Sequence, residues 1–380
     1  MQELIELGRE LQEAAEPGFF ETRTQVILSA RFAACGFRVQ EFPGMTGFAA
    51  TIDGRLEGKR IALVADMDAL PAGGGGYAHT CGHHLQMTAL FGSARLLAGQ
   101  DPGLLAQVAF LATPAEEYVD LQRREGLRKA GKVRALSGKQ ELLERGLFGP
   151  FEWVIATHAA AIEPGQVSSV LAMNGFEVRR WSFRGVSAHA GAHPERGRNA
   201  QNAACLFLQA CAFLRETFPE DRHVRIHPVL RLPPGQPVNL VPEAAFVETY
   251  VRAVDEDSIR EYSKGLDAAA GGCASAIGAG ATAERIQGYA PFHADFRLHA
   301  LLKAAAEARG VQFIEEPFSA ASSDMGDVSR LKPSIIIGLP GTNGRLHEGA
   351  FQVTDELAAY VFPAQIVSDF LRRLAAEPLH

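Results

Sequence analysis

Apolar residues Leu4, Leu7 and Leu11 recur at helical spacing and predict a helix over 4–11. A Pro17-Gly18 turn follows, and a second helix over 22–34 runs to Gly36, a left-handed stop. Two apolar strand-like runs come next, 47–52 and 60–65, with Asp53-Gly54 as the turn between them. The second run enters Asp66-Met67-Asp68. A helix over 84–97 leads to a buried strand over 106–112, which ends in Thr113-Pro114-Ala115-Glu116-Glu117. A further strand over 151–156 ends at Thr157-His158. Three successive apolar strands therefore finish in ionisable residues, at the edge where parallel sheets collect their chemistry. Residues 120–145 are strongly charged and helix-prone, and read as an insertion over the surface.

Between about Gly175 and Gly288 the pattern changes. Residues 177–184 and 246–251 alternate apolar with polar positions, as half-exposed antiparallel strands do, and helical stretches over 200–213 and 257–270 accompany them. From Ala290 the α/β texture returns, with 334–338 as a central strand. The chain is thus expected to be α/β, with a larger domain over 1–174 and 289–380 and a smaller α+β domain over 175–288 inserted into it. Gly278 to Ala283 mimics a dinucleotide fingerprint, but no apolar strand precedes it and a helix end or connector is expected. Gly73 to Gly76 lacks the Lys-Ser/Thr of a phosphate loop, and no G-x-S-x-G occurs.

Composition narrows the partners. Among 380 residues, 37 Lys and Arg face 44 Asp and Glu, a formal net charge of −7, so the chain lacks a basic footprint for nucleic acid or an anionic membrane. No apolar run is long enough to span a bilayer. The acidic amphipathic start does not read as a secretory signal, and the five scattered cysteines suit free thiols in a reducing compartment. A cytoplasmic protein without nucleic-acid or membrane partners is expected.

The densest chemistry is His79-Thr80-Cys81-Gly82-His83-His84. A thiolate and an imidazole two residues apart suit zinc, manganese or a similar ion. One such pair is weak evidence, since a histidine is commonly structural. The picture changes when Glu116-Glu117, His158 and His347 are added, because strand ends of a parallel sheet would gather all of them, enough donors for two divalent ions sharing a ligand. Adjacent carboxylates repel; a cation can neutralise one while the other serves as a general base. Asp66 and Asp68 lie two apart on an extended segment, so either could ligate or could orient a ligand histidine.

The motifs Asp66-Met67-Asp68-Ala69-Leu70-Pro71, Cys81-Gly82-His83, Pro114-Ala115-Glu116-Glu117, His158, Ser187-Ala188-His189 and His347 occur in a telling order. The sequence resembles the aminoacylase, hippurate hydrolase and auxin-conjugate hydrolase family of dinuclear metallopeptidases and amidohydrolases over essentially its whole length. The resemblance implies a metallopeptidase-like catalytic domain with a mixed central sheet, and a lid and dimerisation domain over 175–288. It implies that Cys81 bridges two divalent cations, with His83 and Glu117 completing one site and His158 and His347 the other. Glu116 would be the general base and Asp68 would orient a ligand histidine. His189 would reach across a homodimer to the oxyanion of the partner's reaction, and Asn239 and Arg252 would contact substrate. For Arg252 a surface salt bridge is an equal reading. The expected activity is hydrolysis of the amide C–N bond of N-acyl amino acids or related aromatic amides by a metal-activated water.

The sequence also departs from that pattern. The family's CGHD is here Cys81-Gly82-His83-His84, so His84 could be an extra ligand, a substrate contact or a surface group. The loop after Pro71 shrinks to glycines, and the 120–145 segment resembles a branch of the same clan that includes a nitroanthranilate aminohydrolase. An aromatic-amine aminohydrolase is therefore the alternative. Two remoter readings are a thiol hydrolase using Cys81 with His83 or His79, and a non-catalytic metal-bound binding protein.

Overall fold

A computed structural model describes residues 1–52, 54 and 56–377. Asp53, half of the expected 53–54 turn, lies outside the described residues. The chain divides into two compact units, one of residues 1–171, 293–318 and 327–380, the other of residues 172–292 and 319–326. The short 319–326 segment, which the sequence pattern leaves with the larger domain, joins the smaller unit.

The larger unit is built on an eight-stranded mixed sheet. Its order is Phe37–Glu41, Phe48–Ile52, Val108–Thr113, Ile61–Asp66, Trp153–Ala159, Ser334–Leu339, Gln166–Val170 and Gln312–Glu316. The four central strands, from Val108–Thr113 to Ser334–Leu339, run parallel. Three of them, Ile61–Asp66, Val108–Thr113 and Ser334–Leu339, are buried at every position. That is why they read as unbroken apolar runs rather than alternating ones. Phe37–Glu41 escapes a sequence reading because only its first residue is buried.

Helix His83–Gln100 packs on the Ile61–Asp66 and Trp153–Ala159 strands and against helices Gln2–Glu13 and Phe362–Ala376. With neighbours all around, its first twelve residues are buried, so it carries no polar face to betray its period. An aromatic cluster closes the other end of the sheet: Phe32 meets Phe37, Phe48, Phe91 and Phe110 at centroid distances of 5.3–5.8 Å, three of the four pairs edge to face.

The 120–145 segment is only partly a surface insertion: residues 128–132 are exposed, but other charged positions are not. It forms helices Leu121–Lys129 and Gly138–Glu144, and Arg124, Lys139 and Glu141 are all buried. Lys139 is fully buried because it pairs with Asp66, and Arg124 because backbone carbonyls and Asp68 receive its guanidinium. Charged residues are rarely buried without partners, and here the carboxylate partners, Asp66 and Asp68, lie far away in sequence.

The smaller unit holds a four-stranded antiparallel sheet in the order Val229–Arg231, Ala244–Ala253, Gly175–Arg184, Gly280–Gln287. Strict alternation of burial along Ala244–Ala253 shows one covered face. Helices Ala200–Leu214 and Glu256–Ala276 cover it, burying Trp181, Phe183, Phe207, Val247, Val251 and Leu266 in one core. Asn199 and Asp255 cap the two helices by accepting from Asn202 N (3.0 Å) and Ser258 N (2.7 Å). The fingerprint mimic is the left-handed glycine that ends helix Glu256–Ala276, at Gly278, and the connector into strand Gly280–Gln287. Among the described residues, no helix is long and apolar enough to cross a membrane.

Candidate metal centre

Each functional segment of the larger unit leaves the end of a central strand or the loop beside it. After Asp66 the chain is held by Met67 N donating to Thr113 O (2.9 Å) and Ala69 N to Glu16 O (2.8 Å). Those bonds fix Asp68 between the two strand ends. Gly82 precedes helix His83–Gln100 in a left-handed conformation (φ 76°), where an added Cβ would come within 2.6 Å of Ala159 Cβ. Only glycine suits that turn, and it places Cys81 and His83 on either side of it. His158 leaves strand Trp153–Ala159. His347 sits at φ 67° in the loop beyond Ser334–Leu339, its N–H donated to Thr80 O (2.8 Å).

These segments converge. Cys81 Sγ lies 3.4 Å from His158 Nε2 and 3.3 Å from His347 Nε2. His83 Nε2 lies 3.9 Å from Glu116 Oε2 and 3.9 Å from Glu117 Oε1. Donor atoms of Cys81, His83 and His158 fall within 4.8 Å of one another, as do those of Cys81, Glu117 and His347, and those of His83, Glu116 and Glu117. The triples group His83 with His158, Glu117 with His347, and His83 also with Glu117, the pair that the resemblance assigns to one site; His158 and His347 meet only through Cys81.

The histidines are oriented from behind. His83 Nδ1 lies 2.7 Å from Asp68 O, and His158 Nδ1 lies 2.8 Å from Ala159 O. A carbonyl can only accept, so Nδ1 carries a proton in both rings and Nε2 is the nitrogen turned to the cluster, the orientation of a metal-ligating imidazole. Asp68 does more than orient His83. Its carboxylate accepts Glu116 N (3.0 Å) and Glu117 N (2.9 Å), fixing the double-glutamate turn.

The electrostatics call for a cation. Burial and the charges of Glu117 and Glu116 push the Cys81 thiol well above its ordinary value. This is the reverse of what a thiol nucleophile needs. Burial pushes His83 down, but the hydrogen bond and charge of Asp68 outweigh it and carry the imidazole up to about 10. Burial pushes Glu117 up, yet His347 and His83 outweigh it and hold the carboxyl down to about 2. His83 Nε2 and Glu117 Oε1 are buried without a hydrogen-bond partner; the 3.3 Å approach of His347 to Glu117 Oε1 lacks hydrogen-bond geometry. An unpartnered buried nitrogen and oxygen beside a buried sulfur, with like charges crowded together, fit divalent cations.

His84 is neither a surface group nor part of these triples. It is fully buried, 5.4 Å from the His79 ring and 5.9 Å from Tyr360 (centroid distances), and burial holds it well below its ordinary value.

Glu21, which sequence reasoning missed as a functional residue, supports the turn from below. It is fully buried, accepts Ala115 N at Oε1 (2.8 Å) and bonds the Thr46 hydroxyl at Oε2. Burial and the Asp68 charge raise its carboxyl to about 8. Unfolded, the group ionises near 4.5, so between that value and about 8 the folded chain holds the extra proton. Stability therefore declines as pH rises through this window. Glu21→Gln is expected to flatten the decline, read as denaturation midpoints at pH 5 and pH 8.5; an unchanged slope would show that Glu21 ionises normally in the fold.

In the smaller unit, His189 is exposed and its Nδ1 accepts the N–H groups of Gly191 (3.2 Å) and Ala192 (3.0 Å). Its proton therefore sits on Nε2, available to donate. A bridge between His189 and Leu240, with Ala190 N donating to Asn239 O (2.9 Å), sets Asn239 beside it. Arg252 lies over the rings of Phe176 and Tyr250 at 5.0 and 5.2 Å and donates to Ser322 Oγ (2.6 Å).

The sequence profile of peptidase family M20/M25/M40 matches residues 62–373. The chain belongs to this family. It is a metal-dependent enzyme of the amidohydrolase and peptidase class. Among curated relatives, it is 24% identical over 366 residues to an N-acetylcysteine deacetylase of Bacillus subtilis, covering 93% of this chain and 92% of that one. It is also 24% identical over 286 residues to a hippurate hydrolase of Campylobacter jejuni, covering 70% of each. Two solved structures share the family fold. One is a dinuclear metal binding M20 peptidase of Bacillus subtilis (TM-score 0.73, 21% identity, 97% of each chain). The other is a tripeptidase of Staphylococcus aureus (TM-score 0.73, 18% identity, 99% of each chain).

Proposed function

We propose that this enzyme hydrolyses the amide C–N bond of N-acyl amino acids or related aromatic amides, using two divalent cations held by Cys81, His83, Glu117, His158 and His347. The observation that carries this reading is the pair of imidazoles, His83 and His158, whose Nδ1 atoms are tied to carbonyls while Nε2 faces Cys81 and the glutamates. Divalent cations in such a site supply Lewis acidity and lower the pKa of water.

The chain's own groups supply the rest. Glu116, fixed through its N–H by Asp68 and set 3.9 Å from His83, takes a proton from the attacking water at its carboxylate and passes it to the leaving nitrogen. Asp68 keeps His83 in the tautomer that presents Nε2 and so holds the ligand set open for cations. His189 of a second copy of the chain, protonated on Nε2, donates to the oxygen that becomes negative as the carbonyl is attacked. Asn239 and Arg252 bind the substrate's polar groups. The His189 assignment makes the working form a homodimer, and the five free cysteines suit a cytoplasmic enzyme.

The test is a panel of N-acyl amino acids and aryl amides assayed with zinc- and manganese-reconstituted protein. Chelator-sensitive release of a free amino acid or amine is expected. Ammonia released from an aromatic amine, with no amide cleaved, would instead establish the aminohydrolase alternative.

A further inference from the structure

Arg124 lies in a segment whose charge pattern promises a solvated surface, yet it is 2% exposed. Its Nη1 donates to Ala115 O (2.9 Å) and Leu136 O (2.7 Å), and its Nη2 donates to Glu117 O and lies 3.6 Å from Asp68 Oδ2. The turn it holds is strained. Ala115, a non-glycine residue, is left-handed at φ 58°, a conformation that persists only where its surroundings over-determine it. Those surroundings form two jaws. Asp68 takes the N–H groups of Glu116 and Glu117, while Arg124 takes the carbonyls of Ala115 and Glu117 and faces Asp68. The second helix of the segment seals the clamp, since a Cβ added to Gly138 would stand 1.8 Å from Pro114 O. A guanidinium is costly to bury, and only its planar fork reaches several acceptors at once.

We propose that Arg124 is a positioning residue that sets where the Glu116 and Glu117 carboxylates point, so that the charged 120–145 segment is part of the catalytic apparatus. The assignment rests on the reading of Glu116 as base and Glu117 as metal ligand.

The experiment compares Arg124→Lys, Arg124→Met and Arg124→Ala with Arg123→Ala, whose side chain stacks on Phe20 (3.4 Å from cation to ring centroid) outside the clamp. Lysine keeps the charge and loses the fork. In Arg124→Lys, kcat is expected to fall ~100-fold, the scale of a displaced catalytic group. KM should stay within about threefold, and the acid limb of the pH–rate profile should move. The spectrum of the cobalt-substituted protein should change as well, a readout independent of turnover. Arg123→Ala should match the unsubstituted protein in all four. Folded Arg124 variants with unchanged kcat, pH profile and cobalt spectrum would overturn the proposal. Failure of all three variants to fold would overturn it too, leaving Arg124 a purely structural role. If the unsubstituted protein cleaves no amide, the functional reading fails by itself, and the cobalt spectrum of Arg124→Lys still decides whether the guanidinium positions Glu117.

Discussion

Glu116→Gln is expected to keep both cations and lose about 10³-fold in kcat, within the range general-base catalysis contributes. The side-chain amide has the same shape and the backbone N–H of residue 116 still donates to Asp68, so the turn and the ligands stay in place. It cannot take a proton. Two neighbouring carboxylates make the comparison sharp, because Glu117→Gln should instead shed metal, its carboxyl lying 3.3 Å from His347 and 3.9 Å from His83. Metal content by plasma emission and kcat on a cleaved substrate, taken together for both variants, separate base from ligand. A Glu116→Gln protein that turns over at the unsubstituted rate would remove Glu116 from the chemistry.

Cys81→Ala is expected to lower metal affinity by more than ~100-fold, since a bridging donor should cost more than an orienting partner behind a ligand. Cys81 alone belongs to both the His83–His158 and the Glu117–His347 triples. Burial and the flanking glutamates oppose its thiolate, so the thiolate forms only against a compensating positive charge. The same logic sets a pH dependence. His83, held up to about 10 by Asp68, must give up its Nε2 proton when a cation binds, and metal uptake should weaken as pH falls. Titration with a competing chelator at several pH values checks both statements. Two cations bound by Cys81→Ala with unchanged affinity would show that the sulfur is a bystander.

The central strands and the motifs at their ends were legible in the sequence because burial on both faces leaves uniform apolar runs, and the polar residues that stop them stand out. The smaller unit was legible for the opposite reason, a clean alternation along Ala244–Ala253. What the pattern concealed were polar residues buried by partners outside their own helix or strand. Lys139 and Arg124 look like solvated charge until Asp66 and the Ala115 and Glu117 carbonyls are found beside them. Glu21 is hidden likewise, its partners Thr46 and Ala115 lying 25 and 94 residues away. From the motif alone His84 could be an extra ligand, a substrate contact or a surface group, yet it is enclosed against His79 and Tyr360. Local sequence carries periodicity and turn chemistry; it does not carry the long-range satisfaction of buried charge.

The central claim is that one sulfur, three imidazoles and a carboxylate hold two divalent cations side by side. Anomalous diffraction at the metal edge from crystals of the zinc- or manganese-loaded protein tests it most directly. Two peaks are expected, both within bonding distance of Cys81 Sγ, with His83, His158, His347 and Glu117 completing their coordination. A loaded crystal whose metal peaks lie away from Cys81 would contradict the account.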